Sequence, residues 1–194
     1  QSTIACQVGA NVEFTVNVTT NDSPIFQWQK FDSTNSQWIN IDENDTYAGV
    51  TTTTLKINNV DLKMNGDKFR VNVSTDEYAC LVDSNDDVTL QVEEALPIAN
   101  IVDDIILCDD NSVGSDSDGF IANFDLNSKI NAILGEAQST EDFTVTFHSS
   151  LDDLNDLNSN GFTLPFTNTI SGGQEIFVRV LNNDSKCYNG ATSF

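Results

Sequence analysis

Apolar and polar residues alternate with a period of two along much of the chain. Val12, Phe14, Val16 and Val18 are interleaved with Glu13, Thr15 and Asn17, the pattern of a half-buried strand. Phe26 and Trp28 share one face of the next strand, with Gln27 and Gln29 on the other. Trp38 and Ile39 to Ile41 follow a polar turn at 32–37. Thr53, Leu55 and Ile57 form another face, and Phe69, Val71 and Val73 the next, after an Asn65-Gly66 turn signal. Val88, Leu90 and Val92 close the set. About seven short strands with a Trp on an inner one predict a β-sandwich over residues 1–95.

The texture changes after residues 93–100, a short linker in which Pro97 cannot continue a ladder. Residues 96–194 are expected to form a second β-rich domain, sandwich-like, with short helices. Ile105 to Leu107 run into Cys108, and an acidic loop spans 109–119. Phe120 to Phe124 is expected to be a strand. Leu126, Ile130, Ile133 and Leu134 are spaced for a short amphipathic helix with Gly135 as its stop. Phe143, Val145 and Phe147 alternate as a strand, Leu151, Leu154 and Leu157 suggest a helical turn or two, and Ile176, Val178 and Val180 alternate again. Residues 191–194 look like a strand cut short, so the native chain is expected to continue. The fold class is therefore mainly β, in two tandem domains.

Charge narrows the partners. Thirty acidic residues against eight basic ones give a formal net charge of -22. Such a surface repels nucleic acid and anionic membranes, and it suits divalent cations. Twelve Phe in regular patterns argue against disorder. No apolar run reaches membrane-spanning length, so no membrane insertion of this segment is expected.

The four cysteines, Cys6, Cys80, Cys108 and Cys187, point to an oxidising compartment, and no Cys-x-x-Cys suggests zinc or thioredoxin-like chemistry. Three connectivities are open. The one that keeps each bridge inside one domain is Cys6–Cys80 with Cys108–Cys187. Each such bridge closes a loop of roughly 75–80 residues, a stabilisation of about 4 kcal/mol by chain entropy.

The first half carries Cys6-Gln-Val-Gly-Ala-Asn, Phe26-Gln-Trp-Gln, Trp38-Ile-Asn-Ile, Tyr47-Ala-Gly, Thr54-Leu-Lys-Ile-Asn-Asn-Val and Asn65-Gly-Asp-Lys-Phe-Arg-Val. As a set these resemble immunoglobulin-like repeats of secreted Bacteroidota proteins. Val71 stands where the antibody pattern has its second core cysteine, and Phe69 where it has the corner tyrosine. The second half carries Leu107-Cys-Asp-Asp, Asp118-Gly-Phe, Phe124-Asp-Leu, Phe143-Thr-Val-Thr-Phe-His-Ser-Ser, Phe166-Thr-Asn, Ile176-Phe-Val-Arg-Val and Cys187-Tyr. It resembles a repeat of flavobacterial gliding-motility-associated adhesins exported by the type IX secretion system. That resemblance implies display on the bacterial cell surface and a role in adhesion or gliding. It names no ligand. Asp32-Ser33-Thr34 also resembles a Bacteroidota O-glycosylation acceptor.

The acidic loop is a candidate calcium site. Asp116, Asp118 and Gly119 overlay the third, fifth and turn positions of a calcium loop, Phe120 would offer its carbonyl, and Asp125 would close the site. The first position is Gly114, so Asp109 or Asp110 would have to fold back in its place. The competing reading is a solvated turn whose Asp side chains bind local backbone amides.

Catalysis finds little footing. The lone histidine, His148, sits at a predicted strand end beside Ser149 and Ser150, where neighbouring side chains point to opposite faces, and a surface or edge position is expected for it. Gly-x-Ser-x-Gly, phosphate-loop and His-Glu-x-x-His motifs do not occur. Trp38, Tyr47 and Tyr188 are candidate sugar-stacking residues, with sheet packing the competing role for Trp38. The leading expectation is a non-enzymatic adhesin segment whose modules act as stalk or display unit. Its partners would be surface polysaccharide or neighbouring repeats of the same chain. The alternative is a carbohydrate-binding ancillary module of a secreted hydrolase.

Overall fold

The structure is a computed structural model that describes residues 2–19, 23–75, 82–83 and 86–194, with the side chains of 2, 75, 82 and 83 outside the description. Two compact units divide the chain, Gln1–Ala95 and Leu96–Phe194.

The described residues of the first unit form nine strands: β1 (Ser2–Ala5), β2 (Val12–Thr15), β3 (Pro24–Asp32), β4 (Gln37–Asn40), β5 (Tyr47–Ala48), β6 (Thr54–Ile57), β7 (Lys68–Thr75), β8 (Val82–Asp83) and β9 (Val88–Val92). They form two sheets. One runs β1-β9-β7-β3-β4 with β8 added to β7, and the other runs β2-β6-β5. β1 joins β9 in parallel, and the remaining pairs are antiparallel. This strand order makes an immunoglobulin-like β-sandwich. The alternation read from the sequence supplies its inner layer: Phe14, Trp28, Leu55, Ile57, Phe69, Val71 and Leu90 are buried.

Aromatic packing stands at the sandwich centre. Val71 lies opposite Trp28 in the ladder. The Phe14 ring sits 5.5 Å from Phe69 and 6.5 Å from Trp28, which bridges the two sheets. Trp28 Nε1 donates to the Thr52 carbonyl at 3.0 Å, so its one polar atom is satisfied. Each such side chain contributes about 1.5–3 kcal/mol on full burial.

The second unit contains α1 (Ile130–Leu134), β10 (Phe143–His148), α2 (Leu151–Asn155), β11 (Phe177–Asn182) and β12 (Tyr188–Ser193). A 3-10 turn at Leu126–Lys129 leads into α1, burying Leu126, Ile133 and Leu134 as the spacing predicts. Gly135 caps this helix at φ 69, a conformation that glycine adopts without steric cost. The strands form one antiparallel sheet, β10-β11-β12. Val145, Phe147, Val178 and Val180 face the main core, and the turn and α1 form its opposite wall.

Two expectations change here. Residues 120–124 are not a strand. Only Phe124 makes a bridge, to Phe166, and Asn123 at φ 65 turns the backbone away. His148 is not at the surface: it is fully buried. The far face of the sheet is covered by α2 and the loop after it, which the short Leu151–Leu157 pattern did not reveal. Leu154 is buried there, while Leu151 and Leu157 are exposed.

Candidate functional site

The acidic loop is built from its own backbone. Ser115 donates its N–H to Asp118 Oδ2 at 2.8 Å, and Phe120 donates to Asp118 Oδ1 at 3.0 Å. These amides hold the Asp118 carboxyl below the ordinary carboxylate pKa. Asp110 accepts from the Ser112 N–H at 2.8 Å, and contact with Ser112 lowers its pKa in the same way. Asp109 reaches across the loop to accept from the Gly119 N–H at 2.6 Å. Gly119 has no room for a side chain: a Cβ there would lie 2.4 Å from Ser171 Oγ and 2.7 Å from Gly172 N. Asp116 is exposed. Asp125 precedes the 3-10 turn and receives Ser128 at its backbone carbonyl.

The six candidate calcium ligands are therefore spread along the loop. Among the described residues, no group of three His, Cys, Asp or Glu side chains is placed to hold a metal ion. Asp109 does fold back toward Gly119, but its role there is to bind the turn's amide.

The described cysteines separate into two kinds. Cys108 is a free, exposed thiol. Cys6 and Cys187 are each disulfide-bonded, and Cys187 is 1% exposed. The expected Cys108–Cys187 bridge is thus overturned, because Cys187 is bonded while Cys108 is not. The expected Cys6–Cys80 bridge falls on a residue, Cys80, outside the described ones. Keeping each bridge inside a domain was a rule of economy, and spacing along a chain contains no information about which thiols meet.

Residues 104–194 match a family model described as Flavobacterium inter-domain disulphide bond domain. That match covers the acidic loop, the sheet and both Cys108 and Cys187. A search of curated proteins finds no match. Among solved structures, a titin immunoglobulin tandem aligns at 16% identity and a TM-score of 0.37, over 48% of this chain and 44% of that one. The titin M3 domain aligns at 21% identity and 0.35, over 48% and 90%. The four N-terminal immunoglobulin domains of Dscam1 isoform 1.9 align at 13% and 0.40, over 99% and 42%. The chain thus spans less than half of the titin tandem and of the Dscam1 fragment.

Trp38 and Tyr47, both in the first unit, have different surroundings. Trp38 packs against Phe31 with ring centroids 5.2 Å apart, and the Arg70 guanidinium lies 4.6 Å over its ring. Gln29 accepts from Arg70 Nε and donates to Asn40, locking this outer face of the sheet. Tyr47 packs on the core side, 6.2 Å from Phe69. Tyr188 belongs to the second unit, where its hydroxyl donates to Asn155 Oδ1 at 3.1 Å.

Sequence reasoning missed a buried polar cluster on the far face of the second sheet. Arg179 is 5% exposed. It donates to the carbonyls of Leu154 at 2.9 Å, Asp156 at 3.0 Å and Ser159 at 2.5 Å. These close the C-terminal end of α2, where a cation is favoured. His148 Nε2 meets the Thr146 hydroxyl at 2.7 Å, and its Nδ1 lies 3.3 Å from Asp153 Oδ2. Asp153 also accepts from the Ser159 hydroxyl, the main cause of its lowered pKa. Burial, helped by the Arg179 charge, pushes the His148 pKa down, against the pull of Asp153. The one cue in the sequence was an Arg interrupting the apolar run 176–181. The Ser159 hydroxyl is spent on Asp153 and the Thr146 hydroxyl on the His148 ring, so both hold the side chains of the cluster in place.

Proposed function

We propose that this chain is a non-enzymatic tandem module of an extracellular bacterial protein, with its two units tied by a Cys6–Cys187 disulfide. The observation that carries the reading is cysteine arithmetic. Cys6 and Cys187 are bonded and Cys108 is free. Within one chain a bridge from either of them to Cys80 would leave the other without a partner. The name of the family matched over 104–194 fits this assignment. A disulfide across the linker restricts the separation of two domains more than the short linker does by itself, which suits a stiff spacer or display unit.

Adhesion, gliding and type IX export belong to this proposal through the flavobacterial match and the resemblance of both halves to surface repeats. So do the expected partners, surface polysaccharide or neighbouring repeats. Calcium in the loop 109–125 is also a proposal. To bind it, Asp118 and Asp110 would exchange backbone amides for the ion, so the loop would rearrange on loading. The functional reading is tested by force spectroscopy on tandem copies of the chain, oxidised and reduced. A bridge from Cys6 to Cys187 carries the force past residues 7–186, so the oxidised chain should release no length from either unit and the reduced chain should release both. Equal traces in both states refute it.

A further inference from the structure

The inner face of the first unit's larger sheet is left partly uncovered at its β4 edge. Ile39 lies opposite Lys30, and Lys30 opposite Phe69, so the three residues share the face that packs on the other sheet. Phe69 is fully buried, yet Ile39 is 51% exposed. β5, the edge of the opposite sheet, is two residues long. A cleft of about 460 Å³ lies here, with Ile39, Ile41 and Tyr47 as its apolar wall. That volume falls within the range of small-molecule sites. Inside it Lys30 Nζ pairs with Asp67 Oδ2 at 2.5 Å, and Tyr47 stands beside both. Asp32 and Asp42 complete the charged lining. Local hydrogen bonds fix the walls: Asp32 takes the Thr34 N–H, and Asn44 takes those of Thr46 and Tyr47. A site fixed in this way loses little freedom when a ligand enters.

The lining selects a ligand class by exclusion. An anion meets three carboxylates against one ammonium that Asp67 already neutralises. A cation finds Asp32 and Asp67 already bonded and Lys30 in its way. A wholly apolar molecule would strip water from the ion pair and return no hydrogen bond. A ring carrying adjacent hydroxyls avoids all three faults. One hydroxyl accepts from the Lys30 ammonium while its neighbour donates to Asp67, and both bonds are charge-assisted. The C–H face of the ring then lies on Ile39 and Tyr47. We propose that this cleft holds one neutral pyranose unit in that way. The site rests on the polysaccharide partner of the proposed function and gives that partner a place and a charge.

The test is an NMR titration of the full chain, reading the methyl signals of Ile39 and Ile41. The probes are the methyl pyranosides of glucose, mannose and galactose, with cyclohexanol, cyclohexylammonium and glucuronate as controls. At least one pyranoside is expected to give saturable shifts in the millimolar range, with each control weaker by about tenfold, the worth of one lost charge-assisted contact. Asp67→Asn is expected to remove that preference over cyclohexanol. Ile39→Asp changes an exposed position and leaves the core intact, and it is expected to abolish binding with the melting transition retained. No shift from any pyranoside overturns the proposal. So does a control that binds as well as the sugars, or full binding by Ile39→Asp. Any of these results leaves the stiff-spacer reading standing, because the force traces decide that separately.

Discussion

Replacing Arg179 with Met removes the donor for three backbone carbonyls, those of Leu154, Asp156 and Ser159. Each hydrogen bond from a charged donor is worth about 1.5–3 kcal/mol, and the contributions of one side chain are not additive. The gross loss is offset by the desolvation that the guanidinium no longer suffers. Breaking a buried ionic arrangement on one side costs roughly 3–5 kcal/mol. Arg179 has carbonyls and no carboxylate as its hydrogen-bond partners here, so the lower end applies, about 3 kcal/mol. For a unit of this size, 1 kcal/mol moves the melting temperature by about 4–8 °C, so a fall of roughly 12–24 °C is expected. Both tryptophans lie in the first unit, so fluorescence would follow the wrong domain. Calorimetry of the oxidised chain, with amide exchange of β11 to identify the transition, separates the two. Arg179→Lys, which keeps the charge but cannot span three carbonyls, should lose about half as much. A fall of less than 4 °C for Arg179→Met would refute the idea that this cation fastens α2 and its loop to the sheet.

Acid should weaken the same region. His148 has a folded pKa below its ordinary value of 6.5, so the unfolded chain takes the proton first. Its contribution is complete above about 6.5 and falls as pH drops through the folded value. Urea midpoints of the second unit between pH 7.5 and 5 should decline, and His148→Gln should flatten that slope. An unchanged slope counts against the buried neutral imidazole. Gly190→Ala would place a Cβ 2.3 Å from Leu154 Cδ2, and overpacking should cost the unit about 1–3 kcal/mol in denaturant titration. Cys108 should react with a maleimide in native buffer while Cys187 stays unlabelled, as peptide mapping would show. If calcium occupies the loop 109–125, a chelator should lower the melting temperature of the second unit, and a melt that does not move removes calcium from the account.

Much of the first unit was legible because its strands are half-buried and its alternation has period two. Val12 and Phe14, Phe26 and Trp28, and Leu55 and Ile57 all point inward as the pattern requires. The helix ending at Gly135 was legible for a similar reason, with apolar residues at helical spacing and a glycine at the stop. The second sheet was less so. Buried on both faces, β11 places Val178, Arg179 and Val180 in the interior together, with a register shift between Val178 and Val180. A strand covered on both sides does not alternate, and an Arg in it reads as an exposed residue until α2 is seen to lie over it. His148 was misplaced for the same reason. The acidic loop shows a different limit. Asp109, Asp110 and Asp118 are spaced like cation ligands, yet the same residue types also bind backbone amides: Asp110 and Asp118 form Asx turns with Ser112 and Phe120, and Asp109 holds the Gly119 N–H across the loop. Cysteine pairing was the least legible feature, because connectivity is set by which thiols meet in space.

The claim that the two units are tied through Cys6 is tested most directly by peptide mapping of the oxidised chain after blocking free thiols. The account predicts a cross-linked species joining the peptide with Cys6 to the peptide with Cys187, and Cys108 recovered with the blocking group. A Cys6–Cys80 species, or Cys108 joined to Cys187, would contradict it.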